Sequence, residues 1–435
     1  MIKISKILTG LLVGTMTIQL QALTLDEAVQ TALKNSKMLE QSNVAFDIAQ
    51  RDIKEKRSAN YGEFDIVASY THYNAPRTLA PLTPSSMKPD AASTEDMMSV
   101  GVNYTVTLFS GFAQRSQVAI SSLQKDMAQQ RSKLTKEQIV YNVKTLYANI
   151  LAQEDVLKAQ KSYAKALLQL KESVDLRVKL GSASKVESLK AEVDYMRAKA
   201  KCTTVETNID ILKESLATLM FVDSIDKLEN IEIDMKKFQA EPTQDYIMSS
   251  TQLELASLEI KKAKQMQQIA QSSYYPKVAL QAYYGKNAGV NDDTNPNSGD
   301  FEDETLWQAG VNLKWNIFDF GKKNAAVQKS KMKMMQSELA KAQKKRELQR
   351  DIAKAKSKIT EALANYRSLE SELVLMQKME KIDSLRYETG AIDIDTLLYT
   401  KARYQLVKSS FAAAKYNYQN AKTYFDYITE RGVQK

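Results

Sequence analysis

The chain has 435 residues but only 13 glycines and 7 prolines, so turns are few and most of its length must lie in a handful of very long elements. At 43% hydrophobic and 26% charged it is too apolar for general disorder, and its single histidine, His72, and single cysteine, Cys202, exclude His/Cys zinc sites, an intrachain disulfide and any triad needing a second histidine. The net charge of +9 comes from Lys and Arg interleaved with Asp and Glu along helical stretches, which marks solvated helix faces and not the aromatic-studded basic patch of a nucleic-acid binder.

The N-terminus reads as an export signal over residues 1–22. Lys3 and Lys6 precede an apolar run from Ile7 to Ile18, and Leu20-Gln21-Ala22 offers a weak small-residue cleavage site before Leu23. The alternative is an uncleaved anchor, but the run is shorter than the ~20 residues of a spanning helix. No later segment approaches that length, and no cysteine lies near the cleavage site to carry a lipid.

Next comes "LTLDEAVQTALKNS", where Thr24 and Glu27 have the spacing of a capping box, followed by a helix over about 38–58. In "EFDIVASYTHY", Phe64, Ile66, Ala68 and Tyr70 alternate with Asp65, Val67, Ser69 and Thr71, the period of a strand with two different faces. The prolines at 76, 81, 84 and 89 predict a loop over about 75–97, and a second strand returns over about 99–109. From Phe112 to Gly181 the chain has neither Gly nor Pro, so about 113–180 reads as one helix of roughly 100 Å at 1.5 Å per residue. Gly181 ends it, and a return helix covers about 184–219. A segment over about 221–242, containing Pro242, breaks the helical pattern and predicts a mixed belt.

The same order then recurs. "GVNYTVTLFSG" from Gly101 and "GVNLKWNIFDFG" from Gly310 are 209 residues apart, as are Gly181 and Gly390, Leu189 and Leu398, and Tyr195 and Tyr404. Two tandem copies, about 23–220 and 243–435, follow from that register. The second has strands near 277–286 and 306–318 around a loop at 287–304, a long helix over about 322–389 and a return helix over about 393–430. Ile352, Ala355, Ile359, Ala362, Tyr366, Leu369, Leu373 and Met376 form a coiled-coil seam, and Tyr416, Tyr418, Tyr424, Phe425 and Tyr427 read as core against the belt.

Four strands cannot close a membrane barrel, whose smallest form has eight, so closure requires several chains: two supply eight strands and three supply twelve. Each strand has the ~10 residues of a tilted membrane strand, with Trp307, Trp315, Tyr70, Tyr73 and Tyr104 as candidate interfacial aromatics. The other reading is a soluble sheet capping a coiled coil.

The chain resembles the TolC-type outer-membrane efflux proteins. The resemblance rests on "LTLDEAVQTALKNS", on Leu108-Phe109-Ser110-Gly111 and Ile317-Phe318-Asp319-Phe320-Gly321 after the outgoing strands, and on the turns at Gly181 and Gly390 within a two-copy layout. It implies a mainly α protein with a small β part. Its homotrimer would form a 12-stranded outer-membrane β-barrel continuous with a periplasmic α-helical tunnel, in contact with outer-membrane lipid, a periplasmic adaptor (membrane fusion) protein and an inner-membrane transporter. It also implies that the glycine turns form the periplasmic mouth and meet the adaptor, and that a carboxylate six residues after each glycine narrows that mouth. Glu187 holds that place in the first copy, Thr396 in the second, where Asp393 and Asp395 stand nearby. Tyr387 matches a tyrosine the family often has, and Ile392 stands where some members carry an arginine. Three copies would gather nine carboxylates that attract cations and raise one another's pKa. The other reading of each is an ordinary acidic helix start.

His72 is expected at a strand end, Cys202 as a tolerated thiol, and Asp292, Asp293, Asp300, Glu302, Asp303 and Glu304 as a solvated loop or a divalent-cation site. The function expected is the outer-membrane exit duct of a tripartite efflux or type I secretion system, with a periplasmic coiled-coil adaptor or spacer as the alternative. An enzyme comes last, since there is no nucleophile elbow, P-loop or ligand cluster, and no cofactor is called for.

Overall fold

The computed structural model describes residues 22–82, 91–235, 238, 242–292 and 299–433. The export signal, apart from Ala22, lies outside these residues, as do Pro84, Pro89 and Asp293. Chain order is α1 (Leu25–Asn35), α2 (Lys37–Ser58), β1 (Glu63–Thr78), β2 (Ser93–Phe109), α3 (Ala113–Lys179), α4 (Lys185–Met220), α5 (Thr243–Met248), α6 (Thr251–Ser272), β3 (Lys277–Val290), β4 (Phe301–Lys314), α7 (Lys322–Glu388) and α8 (Ile394–Ile428). The protein is mainly helical with a small strand part, built as two repeats. α3 and α7 start 209 residues apart, as do α4 and α8, whereas α2 and α6, and β1 and β3, start 214 apart. The two hairpins therefore differ in length by the five residues separating those offsets.

Two compact units result, one from the described parts of 1–37, 136–243 and 351–435, the other from 38–135 and 244–350. In the second, the strands form a four-stranded antiparallel meander in the order β1-β2-β3-β4. Its register sorts the side chains into two faces. Ile66 pairs with Val102, Val102 with Tyr284 and Tyr284 with Trp307, while Phe64–Tyr104, Ala68–Val100 and Val106–Leu280–Val311 extend the same apolar face. The opposite face carries Glu63, Asp65, Ser69, Ser99, Asn103, Gln281, Asn287, Glu302, Glu304, Gln308 and Asn312. An apolar side against a polar side is the alternation of a membrane barrel wall. β1 and β4 are both edges.

The strands reach further toward the loops than the prolines suggest. β1 continues to Thr78 because its register shifts between His72 and Arg77, and this irregularity accommodates Pro76 on an edge strand that need not donate there. β2 begins at Ser93, β3 runs to Val290, and β4 occupies Phe301–Lys314 instead of 306–318. His72 consequently sits within the strand, its Nδ1 2.9 Å from Asp96 Oδ1, and Tyr70 donates to the same carboxylate. The acidic group does not form one loop: Asp292 accepts from the Glu95 amide at 2.8 Å, Glu302 from Asn291 at 3.0 Å, and Asp303 pairs with Lys286 at 2.9 Å on the other face of β4.

In the first unit the Thr24–Glu27 capping box forms, and Leu23 makes a parallel bridge to Leu228. The fully buried Tyr147 hydroxyl lies 2.7 Å from the carbonyl oxygens of Leu23 and Glu229, and burial pushes its pKa up to about 12. Ile352, Ala355 and Ile359 are wholly buried along α7, Met376 is buried further along the same seam, Leu363 is buried beside it, and Tyr366 stacks on Phe411 at 5.2 Å. Phe425 meets Phe238 edge-on at 5.0 Å, and Tyr416 and Tyr418 are buried in α8.

Candidate functional site

Two helix-turn-helix tips lie in the first unit. At Gly181 and Gly390 the backbone is left-handed, with φ of +76° and +74°. Gly181 donates to the Val178 carbonyl at 3.0 Å and Ser182 to Arg177 at 2.8 Å, while Gly390 and Ala391 repeat the pattern onto Tyr387 and Arg386. These reversed pairs satisfy the last carbonyls of α3 and α7, and handedness alone demands glycine, since a Cβ at either position would meet nothing within 4 Å.

The return helices are capped differently, which explains the displaced carboxylate. In the first copy Ser184 is the N-cap and Glu187 folds back on it: the Glu187 amide donates to Ser184 Oγ at 3.2 Å, and the Ser184 amide to Glu187 Oε1 at 3.3 Å. In the second copy Asp393 takes the place of Ser184 and accepts from the Thr396 amide at 2.8 Å. The carboxylate has moved from the third helical residue to the cap itself, so Thr396 needs no charge. Its hydrogen bonds from Thr396 hold the Asp393 carboxyl of the protomer below the usual range.

Asp395 is engaged by a residue that sequence reasoning missed. Lys190 of α4 lies 2.6 Å from Asp395 of α8, a bridge that raises the Lys190 pKa, with Asp393 and Glu187 adding to the shift. No sequence signal marks Lys190, because its counterpart 209 residues on is Tyr399. Beneath the tips, Leu167, Val174, Ala191, Ala198, Ile394, Leu397 and Leu398 form a core that includes Tyr387, with Ile392 packed against it. Tyr387 is 6% exposed, its ring lies 5.0 Å from the Arg177 guanidinium, and burial raises its pKa while the Arg177 charge opposes the rise. Ile392 contributes apolar packing where an arginine would contribute charge.

The strand-to-helix turns lie in the second unit. Ser110 and Asp319, again 209 apart, accept from the amides of Gln114 and Lys323. Each is followed by two consecutive left-handed residues in opposite order: Gly111 and Phe112 at +62° and +69°, then Phe320 and Gly321 at +51° and +89°. Phe109, Phe112 and Tyr275 form an edge-on aromatic trio, while Phe318 and Phe320 meet at 4.7 Å and stay exposed. Among the described residues no group of three or more His, Cys, Asp or Glu is placed to hold a metal, and no helix is long and apolar enough to cross a membrane. Cys202 is buried in α4, where desolvation raises its pKa.

A two-repeat chain of long helical hairpins and a two-faced, open-edged sheet is the fold of outer-membrane channels. Solved structures with this fold include the CmeC outer membrane channel of Campylobacter jejuni (16% identity, 94% of this chain and 86% of that one, TM-score 0.77). The outer membrane protein VceC of Vibrio cholerae is also similar (15%, 93% and 96%, TM-score 0.76), as is the open state of the Neisseria gonorrhoeae MtrE channel (14%, 94% and 89%, TM-score 0.74). No curated protein matches the sequence. The family model for outer membrane efflux proteins matches residues 28–220 and 244–424, one segment per repeat, and the chain belongs to that family. An outer-membrane location and a role as an efflux channel follow from that membership.

Proposed function

We propose that the chain is the outer-membrane exit duct of a tripartite efflux or type I secretion system, passively conducting cargo handed over by an inner-membrane transporter and a periplasmic adaptor. The observation that carries this reading is the sheet: four two-faced strands with both edges unpaired, a wall segment that only further copies can close. Three copies give twelve strands, with the apolar face toward lipid and the polar face toward the lumen. The repeat predicts the seam. Gly101 of β2 matches Gly310 of β4 at a spacing of 209 and β1 matches β3 at 214, so the Asn103–Tyr283 pair of the β2–β3 ladder maps onto Asn312 of one copy facing Ser69 of the next. Both belong to the polar face, as the mapping requires.

The tips at Gly181 and Gly390 then form the periplasmic mouth and the adaptor contact, with Glu187, Asp393 and Asp395 as gate carboxylates and Tyr387 supporting them from the core. Fractionation of the producing cell, native mass measurement and planar-bilayer recording test the reading. A trimer that sediments with the outer membrane and conducts supports it; a soluble monomer that forms no channel overturns it in favour of a coiled-coil adaptor or spacer.

A further inference from the structure

Two buried glycines on the polar face of the sheet share one cover. Gly101 of β2 and Gly285 of β3 are direct partners in the ladder. Neither has a positive φ, so backbone conformation does not call for glycine at these sites. What covers them is the ring of Tyr283, two residues before Gly285 on the same face. A Cβ on Gly101 would lie 2.6 Å from Tyr283 Cε2, Cζ and Oη, and one on Gly285 would lie 2.6 Å from Cζ. The ring is therefore laid along the sheet in the space that two missing side chains leave free, in the manner by which an aromatic covers a strand glycine.

The repeat supplies an internal comparison. Gly310 is the counterpart of Gly101, yet a Cβ there would meet nothing within 4 Å. The residue 214 positions before Tyr283 is Ser69, which has no ring to lay down.

Resting on the duct reading, we infer that Tyr283 is a bore-determining residue: lying flat on Gly101 and Gly285, it forms one aromatic plate per copy on the lumen wall, and the two glycines keep it out of the passage. A flat ring takes up about 3.5 Å of the lumen, the thickness set by carbon van der Waals contact. A side chain at position 101 forces the ring up and inward, because the atoms it would strike are the mobile far end of a side chain and not backbone. At 285 a Cβ would also lie 2.5 Å from the Val100 carbonyl oxygen, so Gly101 is the cleaner position to change.

The test is single-channel conductance in planar bilayers for the full chain and for Gly101→Ala, Gly310→Ala, Tyr283→Ala and Gly101→Ala/Tyr283→Ala. Gly101→Ala should lower conductance below the parental value by narrowing the lumen. Gly310→Ala should leave it unchanged, and the double variant should return to the parental value or above. If Gly101→Ala conducts like Gly310→Ala, or if removing the ring fails to restore conductance, the assignment is wrong. Should Gly101→Ala not assemble, Tyr283→Ala alone must raise conductance, and no rise overturns the inference. A parent that forms no channel refutes the duct reading instead, so the two failures are distinct.

Discussion

Phe320 is left-handed, at φ +51°, and 93% exposed in the protomer, a pairing of strain with exposure that isolated-chain packing does not repay. Placing an L-residue in that region costs about 1–2 kcal/mol relative to glycine. Its one ring contact, edge-on to Phe318 at 4.7 Å, returns about 0.5–1.5 kcal/mol. Phe320→Gly should therefore leave the folded protomer nearly unchanged in stability. On the proposed duct reading, Phe320, which follows edge strand β4, is expected to pack against the neighbouring copy, and full burial of such a ring is worth about 1.5–3 kcal/mol per copy. Thermal dissociation of the trimer in lipid should then occur at a lower temperature in Phe320→Gly, while circular dichroism of the separated protomer matches the parent. Phe112→Gly is the contrasting variant, since Phe112 packs edge-on against Phe109 and Tyr275 and should weaken the protomer itself. A Phe320→Gly trimer that dissociates at the parental temperature would refute the reasoning.

Gly181→Ala and Gly390→Ala should each cost about 1–2 kcal/mol through handedness alone, with Asn better tolerated than Ala at both turns, as measured by hydrogen exchange in the last turns of α3 and α7. Lys190→Gln removes the cation paired with Asp395, so, if the proposed gate carboxylates Glu187, Asp393 and Asp395 share a mouth, block by multivalent cations from the periplasmic side should tighten in bilayer recordings. Unchanged block would mean that these groups do not share a mouth. The Asp393 pKa is depressed in the folded state, so its cap contributes stability above the ordinary carboxylate range and loses it as pH falls through the lower folded value. Exchange protection of the Thr396 amide should thus be constant from pH 7 to about pH 5 and fall only in stronger acid; protection lost near pH 6 would contradict the cap.

The alternation of Phe64, Ile66, Ala68 and Tyr70 with Asp65, Val67, Ser69 and Thr71 was readable because a two-faced wall writes its period directly into the chain. The same is true of the long helices, since breakers are absent between Phe112 and Gly181, and of the two-repeat architecture. Pro76 misled because the register shift between His72 and Arg77 leaves it out of the ladder, so it costs no bond there, and no local pattern shows where such a shift will fall. At the tips, residue identity showed acidic helix starts, but the pairing of Lys190 with Asp395 joins helices about two hundred residues apart in the chain and has no counterpart in the other repeat. Phe112 and Phe320 were hidden for a different reason: each lies beside a glycine that already explained the turn, so a second left-handed residue was not called for. Tyr283 reads as one more strand aromatic until the register brings Gly101 opposite Gly285.

The central claim, that three copies close one wall through the β1 and β4 edges, is tested most directly by engineered disulfide formation. In a Cys202→Ser background, Ser69→Cys and Asn312→Cys place thiols at positions that the repeat register sets face to face between neighbouring copies. Oxidation in the outer membrane should yield a covalent trimer and nothing larger. No intermolecular link, or a ladder that runs past three, would contradict the account.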